Sequence, residues 1–452
     1  MIIPSRYDNQ EESIISFLAI NRGLDYSDPG TGKSRVQLDI FERRYREGAM
    51  LIIAPKSILD LVWENEIRKF TPTMRSSIAW AKNRILAFKI PADIFITNTD
   101  AAVWLAKQKS TFFDRFSTLV VDEISMFKNP QSQRSKALAK ISPFFKYFYG
   151  LSGTPDANHI LDIWHQVYVT DFGKRLGKSY YAFRATTCVS KQVGPEPRMV
   201  KYEAIEGIEE SVASLISDIT VRHKFEDCQD IPANFVTEYD IELSPKLRKA
   251  YDQMKKTAIL EIQKGVQYVT AVNAAALMTK LMQLASGVVY DEARNSVHVD
   301  NTRIDLLCDL IEQRAHSIVF FQWKHQRDAI ILSLKKRKIT YGLIDGSITP
   351  KTLKQNVDKF QKGMYRIILA QPQAAAHGLT LIKGTSTIWT GPTWNLEHYL
   401  QGNRRIYRAG QTKRTETVMI KAKDTVDMAV YQKLMTKDKK QMNLLNMLKD
   451  LQ

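Results

Sequence analysis

Four short apolar runs close in small or polar residues: LIIAP (51–55), DIFITN (93–98), STLVVDE (117–123) and YFYGLSGT (147–154). Between them lie segments of helical periodicity such as KSRVQLDIFERRY (33–45) and ILDLVWENEIRKF (58–70). Apolar runs this short suit strands covered on both faces, and helices between strands make the strands parallel. The alternation predicts an α/β fold with a parallel sheet flanked by helices. A second series follows residue 300: a helix at 303–313, then SIVFFQW (317–323), TYGLIDG (340–346), YRIILAQ (365–371) and STIWTG (386–391). It predicts a second α/β sheet. The turn-rich QDIPANF (229–235) marks the boundary. An N-terminal lobe is expected at 1–232 with a helical insertion at about 160–225, and a C-terminal lobe at 233–452 with a helical insertion at about 245–300.

Charge narrows the partners. Among 452 residues Lys plus Arg is 65 and Asp plus Glu is 48, a formal net of +17 that favours polyanions, nucleic acid first. Cys188, Cys228 and Cys308 are far apart and lack CxxC spacing, which argues against a disulfide framework or structural zinc and for a reducing compartment. His159, His165 and His398 lack ligand spacing. MIIPSRYDNQ has no apolar core of a secretory signal. The longest uncharged stretch, 367–382, includes Gln371, Gln373 and His377 and falls short of the ~20 apolar residues that span a bilayer. A cytoplasmic protein with no membrane partner is expected.

SDPGTGKS (27–34) follows a short possible strand and opens a helix. A glycine-rich turn at a helix N-terminus turns backbone N–H groups toward phosphate. Gly30, Thr31 and Gly32 would wrap it, Lys33 would reach the β- and γ-phosphates, and the Ser34 hydroxyl would ligate Mg²⁺. The strict GxxxxGK[ST] pattern wants glycine where Ser27 stands; the shorter GxGK[ST] core is complete. Asp122 and Glu123 end a buried strand, where Mg²⁺ and attacking water meet. Asp122 would hold the metal through water, and Glu123 would polarise the attacking water. ATP and Mg²⁺ are the expected ligands.

With these residues in place the chain resembles a Snf-type (Swi/Snf-like) translocase of helicase superfamily 2, in a minimal motor of bacterial or phage type. Gln10 stands where that family has its adenine-reading glutamine, and 51–70 resembles its Ala-Pro turn and Trp-bearing helix. DEISMFKNPQSQRSKAL (122–138) resembles the acidic box, and LSGTPDANHILDIW (151–164) the Ser-Gly-Thr-Pro motif. VRHKFED (221–227) and IELSPKLRKAY (241–251) resemble the lobe-joining segment and the start of the second half. SIVFFQWKHQRDAI (317–330), AAAHGLTL (374–381) and TWNLEHYLQGNRRIYRAGQTKR (393–414) resemble the fourth, fifth and arginine motifs. The chain departs from the family at Ser27, Asp28–Pro29, Ser125, Thr380, Arg404 and Tyr407.

The resemblance implies two tandem RecA-like lobes with ATP in the cleft between them. Arg405 and Arg408 would reach the γ-phosphate, Gly378 would line the nucleotide site, and Ser152 and Thr154 would couple hydrolysis to the track. Backbone phosphates would meet Lys56, Ser57, Thr97, Asn98, Lys324 and Thr380. The implied activity is ATP-driven translocation on, or remodelling of, double-stranded DNA by a monomeric motor. A strand-separating helicase for forks or recombination intermediates is the alternative in the same class. A nucleic-acid-binding regulator with a weakened ATPase, motivated by Ser27, Thr380 and Arg404, is the alternative in another. An RNA track is less favoured by the resemblance.

Overall fold

The structure, a computed structural model, describes residues 3–44, 47–155, 159–193, 199–228, 231–263, 271–290, 296–298, 300–375 and 379–450. The chain divides into two compact units, Met1–Asp230 with Lys437–Gln452, and Ile231–Thr436.

The first unit contains β1 (Arg22–Asp25), β2 (Ala49–Ala54), β3 (Ser76–Ile78), β4 (Ile94–Asn98), β5 (Phe116–Asp122), β6 (Tyr147–Leu151), β7 (Cys188–Gln192), β8 (Val200–Ala204) and β9 (Thr220–Val221). Seven of them form one parallel sheet in the order β3-β4-β2-β5-β6-β1-β9. Residues 50–54 are each 0 % exposed, which is why β2 reads as an unbroken apolar run. Leu51 and Ile53 pack on one face with Phe95 and Val121; Met50 and Ile52 pack on the other with Ile94 and Val120. The helices that matter to the site are α1 (Asp8–Ala19), α2 (Lys33–Arg43) and α3 (Asn65–Phe70).

Register carries the functional consequence. Leu151 of β6 pairs with Asp25 of β1 and with Asp122 of β5, and Ala54 of β2 pairs with Asn98 of β4. All strands point one way, so the segments that follow β1, β2, β4, β5 and β6 leave from a single edge of the sheet. Ligands of open parallel sheets sit at that edge.

Residues 160–225 are less helical than the sequence suggests. Helices Asp162–Asp171, Tyr180–Thr187 and Ile208–Ile216 are present, but β7 and β8 form an antiparallel ladder from Cys188↔Ala204 to Gln192↔Val200. Four of the five β7 residues are exposed, so no apolar alternation announced the strand.

His165, in the first of those helices, is 3 % exposed, and burial pushes its pKa down to about 4. The folded chain therefore refuses a proton that the unfolded chain binds from about pH 6.5 downward. Stability present above pH 6.5 should fall as pH drops toward 4, by about 3 kcal/mol at most. Denaturant midpoints measured across that window should decline more steeply for the native chain than for His165→Gln. Equal slopes would remove His165 as the cause.

The second unit contains β10 (Asn234–Ile241), β11 (Val288–Tyr290), β12 (Ser296–His298), β13 (Ser317–Phe320), β14 (Tyr341–Ile344), β15 (Ile367–Ala370), β16 (Ser386–Trp389) and β17 (Thr415–Ala422). Six form a parallel sheet in the order β10-β17-β16-β13-β15-β14, while β11 and β12 pair antiparallel. The fold is thus two α/β lobes, each on its own parallel sheet, the class that the alternation predicts. Among the described residues no helix is long and apolar enough to cross a membrane.

Candidate nucleotide site and nucleic-acid interface

The glycine-rich loop leaves β1 and runs into α2. Gly30 and Gly32 hold φ of +95° and +91°, where a side chain is strained. Gly32 also has no room, since a Cβ there would lie 2.0 Å from Gln10 Nε2. Gln10 is buried on α1, donates to the Thr31 carbonyl at 3.5 Å and accepts from the Tyr7 amide at 3.1 Å. The Thr31 carbonyl also accepts from Asn9 Nδ2 at 3.0 Å, and the Thr31 hydroxyl donates to the Asp28 carbonyl at 2.9 Å. Lys33 Nζ donates to the carbonyls of Ser27 (2.6 Å) and Asp28 (3.0 Å). Lys33 and Ser34 are half-buried at the first two positions of α2, whose first-turn N–H groups have no partner within the helix.

The acidic pair closes β5. Asp122 Oδ2 accepts from Trp63 Nε1 at 2.8 Å, and Oδ1 accepts from the Glu123 amide at 3.1 Å. Burial pushes the Asp122 carboxyl up; the Trp63 hydrogen bond, the Lys33 charge and the Glu123 amide oppose it. Leu151 stands in register with both Asp25 and Asp122, so the loop after β1 and the acidic pair at the end of β5 leave the same edge of the sheet, one strand apart. Glu123 takes a left-handed conformation at φ +54°, a cost of about 1 kcal/mol for a non-glycine residue, and turns the chain sharply off the strand.

Trp63 was not among the residues assigned to the site from sequence. The expected helix 58–70 is three pieces: a single turn Lys56–Ile58, a π-helical stretch Leu59–Glu64, and α3. The wider π turn holds the indole against Asp122, and such turns recur at functional sites.

A second unforeseen partner lies at 221–225. The amides of Tyr26 and Asp28 donate to the carbonyls of Val221 (2.9 Å) and His223 (3.0 Å). The amide of His223 donates to Ser27 Oγ at 3.0 Å, and that of Phe225 to Asp28 Oδ2 at 2.9 Å. Arg222 Nη2 pairs with Asp28 Oδ1 at 2.9 Å, its side chain fully buried. Ser27 and Asp28, read as departures from the family pattern, are therefore built into the loop's support.

Ser152 and Thr154 are buried at the end of β6. The Ser152 amide donates to the Asp25 carbonyl at 3.0 Å, and Ser152 Oγ accepts from the Thr154 amide at 3.1 Å. A Cβ on Gly153 would lie 2.6 Å from Pro29 Cδ, so this motif packs directly on the phosphate loop.

The nucleic-acid candidates divide. Lys56 is exposed, with Nζ 4.4 Å above the Trp80 ring. Asn98 is buried and accepts from Arg84 Nη2 at 3.1 Å. Thr97 is 0 % exposed and its hydroxyl donates to the Ala79 carbonyl, so its side chain ties the sheet together. The Ser57 side chain and Gly378 lie outside the described residues.

In the second unit Lys324 is exposed at the start of helix Lys324–Lys336, directly after β13. Arg405 donates through Nε to the Gln401 carbonyl (2.8 Å) and through Nη1 to the Leu379 carbonyl (3.1 Å); Arg408 Nη1 donates to the same Leu379 carbonyl (3.1 Å). The Leu381 amide donates to the Arg405 carbonyl at 3.0 Å. Both arginines thus gather on the segment that carries the exposed Thr380. Arg405 is 5 % exposed and Arg408 half-buried.

A family model described as SNF2-related domain matches residues 13–288, and one described as helicase conserved C-terminal domain matches 302–410. The chain is 29 % identical over 439 residues to putative protein p41 of Acyrthosiphon pisum secondary endosymbiont phage 1, covering 92 % of each. It is 26 % identical over 430 residues to the uncharacterized ATP-dependent helicase MG018 of Mycoplasma genitalium, covering 91 % of this chain and 39 % of that one. It also resembles the Sulfolobus solfataricus SWI2/SNF2 ATPase core in complex with dsDNA, at 20 % identity over 99 % of this chain and 95 % of that one, with a TM-score of 0.43.

Proposed function

Because the chain belongs to the SNF2-related family, carries a helicase conserved C-terminal domain and is a nucleic-acid-dependent ATPase, we propose that it hydrolyses ATP to translocate along double-stranded DNA. The observation that carries this reading is the gathering of Gln10, the 30–34 loop, Asp122, Glu123, Ser152 and Thr154 at one edge of the first sheet.

In this reading Gln10, already against Gly32, contacts the adenine. The loop amides and Lys33 bind the phosphates. Ser34 and, through water, Asp122 would hold Mg²⁺, which would neutralise phosphate charge. The donor set fits, pairing the half-buried Ser34 hydroxyl at the start of α2 with the half-buried Asp122 carboxylate at the end of β5. Glu123 orients the attacking water, and Arg405 and Arg408 supply positive charge to the γ-phosphate. Ser152 and Thr154 relay changes in the loop through the contact between Gly153 and Pro29. Lys56, Asn98, Lys324 and Thr380 meet DNA backbone and confer little sequence preference.

The strand-separating alternative has one observation in its favour, the β7–β8 ladder standing outside the parallel sheet. Steady-state ATP hydrolysis with duplex DNA, single-stranded DNA or RNA tests both readings. Stimulation by duplex, with displacement of a triplex-forming strand, is the expected result. Stimulation by single strands alone, with unwinding of a forked duplex, would replace it with the alternative. No stimulation by any nucleic acid would overturn both.

A further inference from the structure

The edge of the second sheet from which its strands start lies opposite the edge that carries Lys324. Five segments enter adjacent strands there, and each brings a basic side chain. In spatial order these are Lys413 before β17, Lys383 before β16, His316 before β13, Lys362 and Arg366 before β15, and Lys338 before β14. Adjacent strands are ~4.8 Å apart, so the row spans roughly 19 Å.

The row is organised rather than scattered. Arg366 is fixed by donating to the carbonyls of Ile311 (3.2 Å) and Glu312 (2.6 Å). His316 Nδ1 donates to the Tyr365 carbonyl at 3.1 Å, which leaves Nε2 as the outward nitrogen. A Cβ on Gly363 would lie 3.3 Å from Lys383 Cε and 3.7 Å from His316 Nε2, so those side chains are neighbours across the missing side chain. An open cleft of about 470 Å³ runs between His316, Lys338, Gly363 and Arg366. Burial, Lys383, Arg366 and Lys413 together hold the His316 pKa below its ordinary value.

Nearby carboxylates are already committed. Asp309, Glu312 and Asp305 surround Arg337 at 2.5, 3.5 and 3.8 Å, and Glu416 takes Arg314 at 2.8 Å. Among the described residues Lys338, Lys362, Lys383 and Lys413 form no ion pair, and all four are exposed. A pocket for one small anion needs a single focus of charge, whereas these cations form a line. Duplex DNA carries one charge per ~1.7 Å of axis, so ~19 Å of edge would face about six base pairs.

We propose that this edge is a second DNA-binding surface, holding the phosphate backbone of a duplex separate from the one on the motor's track. The proposal rests on the translocase reading for its first duplex. Its test is the stoichiometry of a labelled 12-base-pair duplex on the full chain at low salt. The triple variants Lys338→Glu/Lys383→Glu/Lys413→Glu and Lys338→Gln/Lys383→Gln/Lys413→Gln are compared, each with its melting temperature. The native chain should bind two duplexes and each variant one, with ATP turnover unchanged at saturating duplex. The salt dependence of the second site should have a log–log slope steeper than about −2.7. One duplex on the native chain and one on the variants would overturn the proposal and leave the translocase standing. One duplex on the native chain and none on the variants would make this edge the chain's DNA surface and overturn the assignment of DNA to Lys56, Asn98, Lys324 and Thr380.

Discussion

Lys33→Ala should lower ATP turnover at least roughly 100-fold and weaken nucleotide binding in step. Hydrogen bonds to charged groups contribute about 1.5–3 kcal/mol each. An ammonium that reaches two phosphates therefore supplies about 3 kcal/mol or more, and each 1.4 kcal/mol is tenfold. The substitution also removes the two hydrogen bonds to the Ser27 and Asp28 carbonyls, so the loop loses an internal tie as well as a cation. Binding of a fluorescent ATP analogue and steady-state hydrolysis should fall together. Turnover within threefold of the native chain would remove the loop from the chemistry.

Arg408→Ala should lower kcat about 1,000-fold with little change in the KM for ATP. An arginine that stabilises charge on a transferring phosphoryl group contributes about 10³–10⁵ in rate. Arg408 is a cleaner test than Arg405, whose nearly buried guanidinium ties the backbone at Gln401 and Leu379, so that its loss would also disturb the fold. Arg408→Lys should recover little, because an ammonium cannot present the planar fork of a guanidinium. A tenfold loss shared between kcat and KM would reassign Arg408 to holding the 379–381 segment.

What could be read in advance follows burial. β2, β4, β5 and β6 are covered on both faces, so each leaves an apolar run that nothing else explains. β10 is eight residues long yet only Ile241 is buried, since it forms an edge of its sheet, so no buried apolar run marks it in the sequence. In the site, Lys33, Asp122 and Glu123 were legible because their positions relative to strand and helix are set by local chain geometry. Trp63 was not, because a π-helical turn breaks the 3.6-residue count that tells which way a side chain faces.

The loop's dependence on 221–225 bears on what the motif is. Asp28 brings a carboxylate to the loop proposed to take phosphate, where the buried Arg222 pairs with one of its oxygens and the Phe225 amide donates to the other, offsetting repulsion of an incoming anion. A graft of 27–34 into another scaffold would carry the repulsion and leave its remedy behind. Phe225, 197 positions along the chain from Asp28, belongs to the same device. In descent, positions 28 and 222 should be inherited as one character, with a carboxylate lost at the first relaxing the demand for a guanidinium at the second.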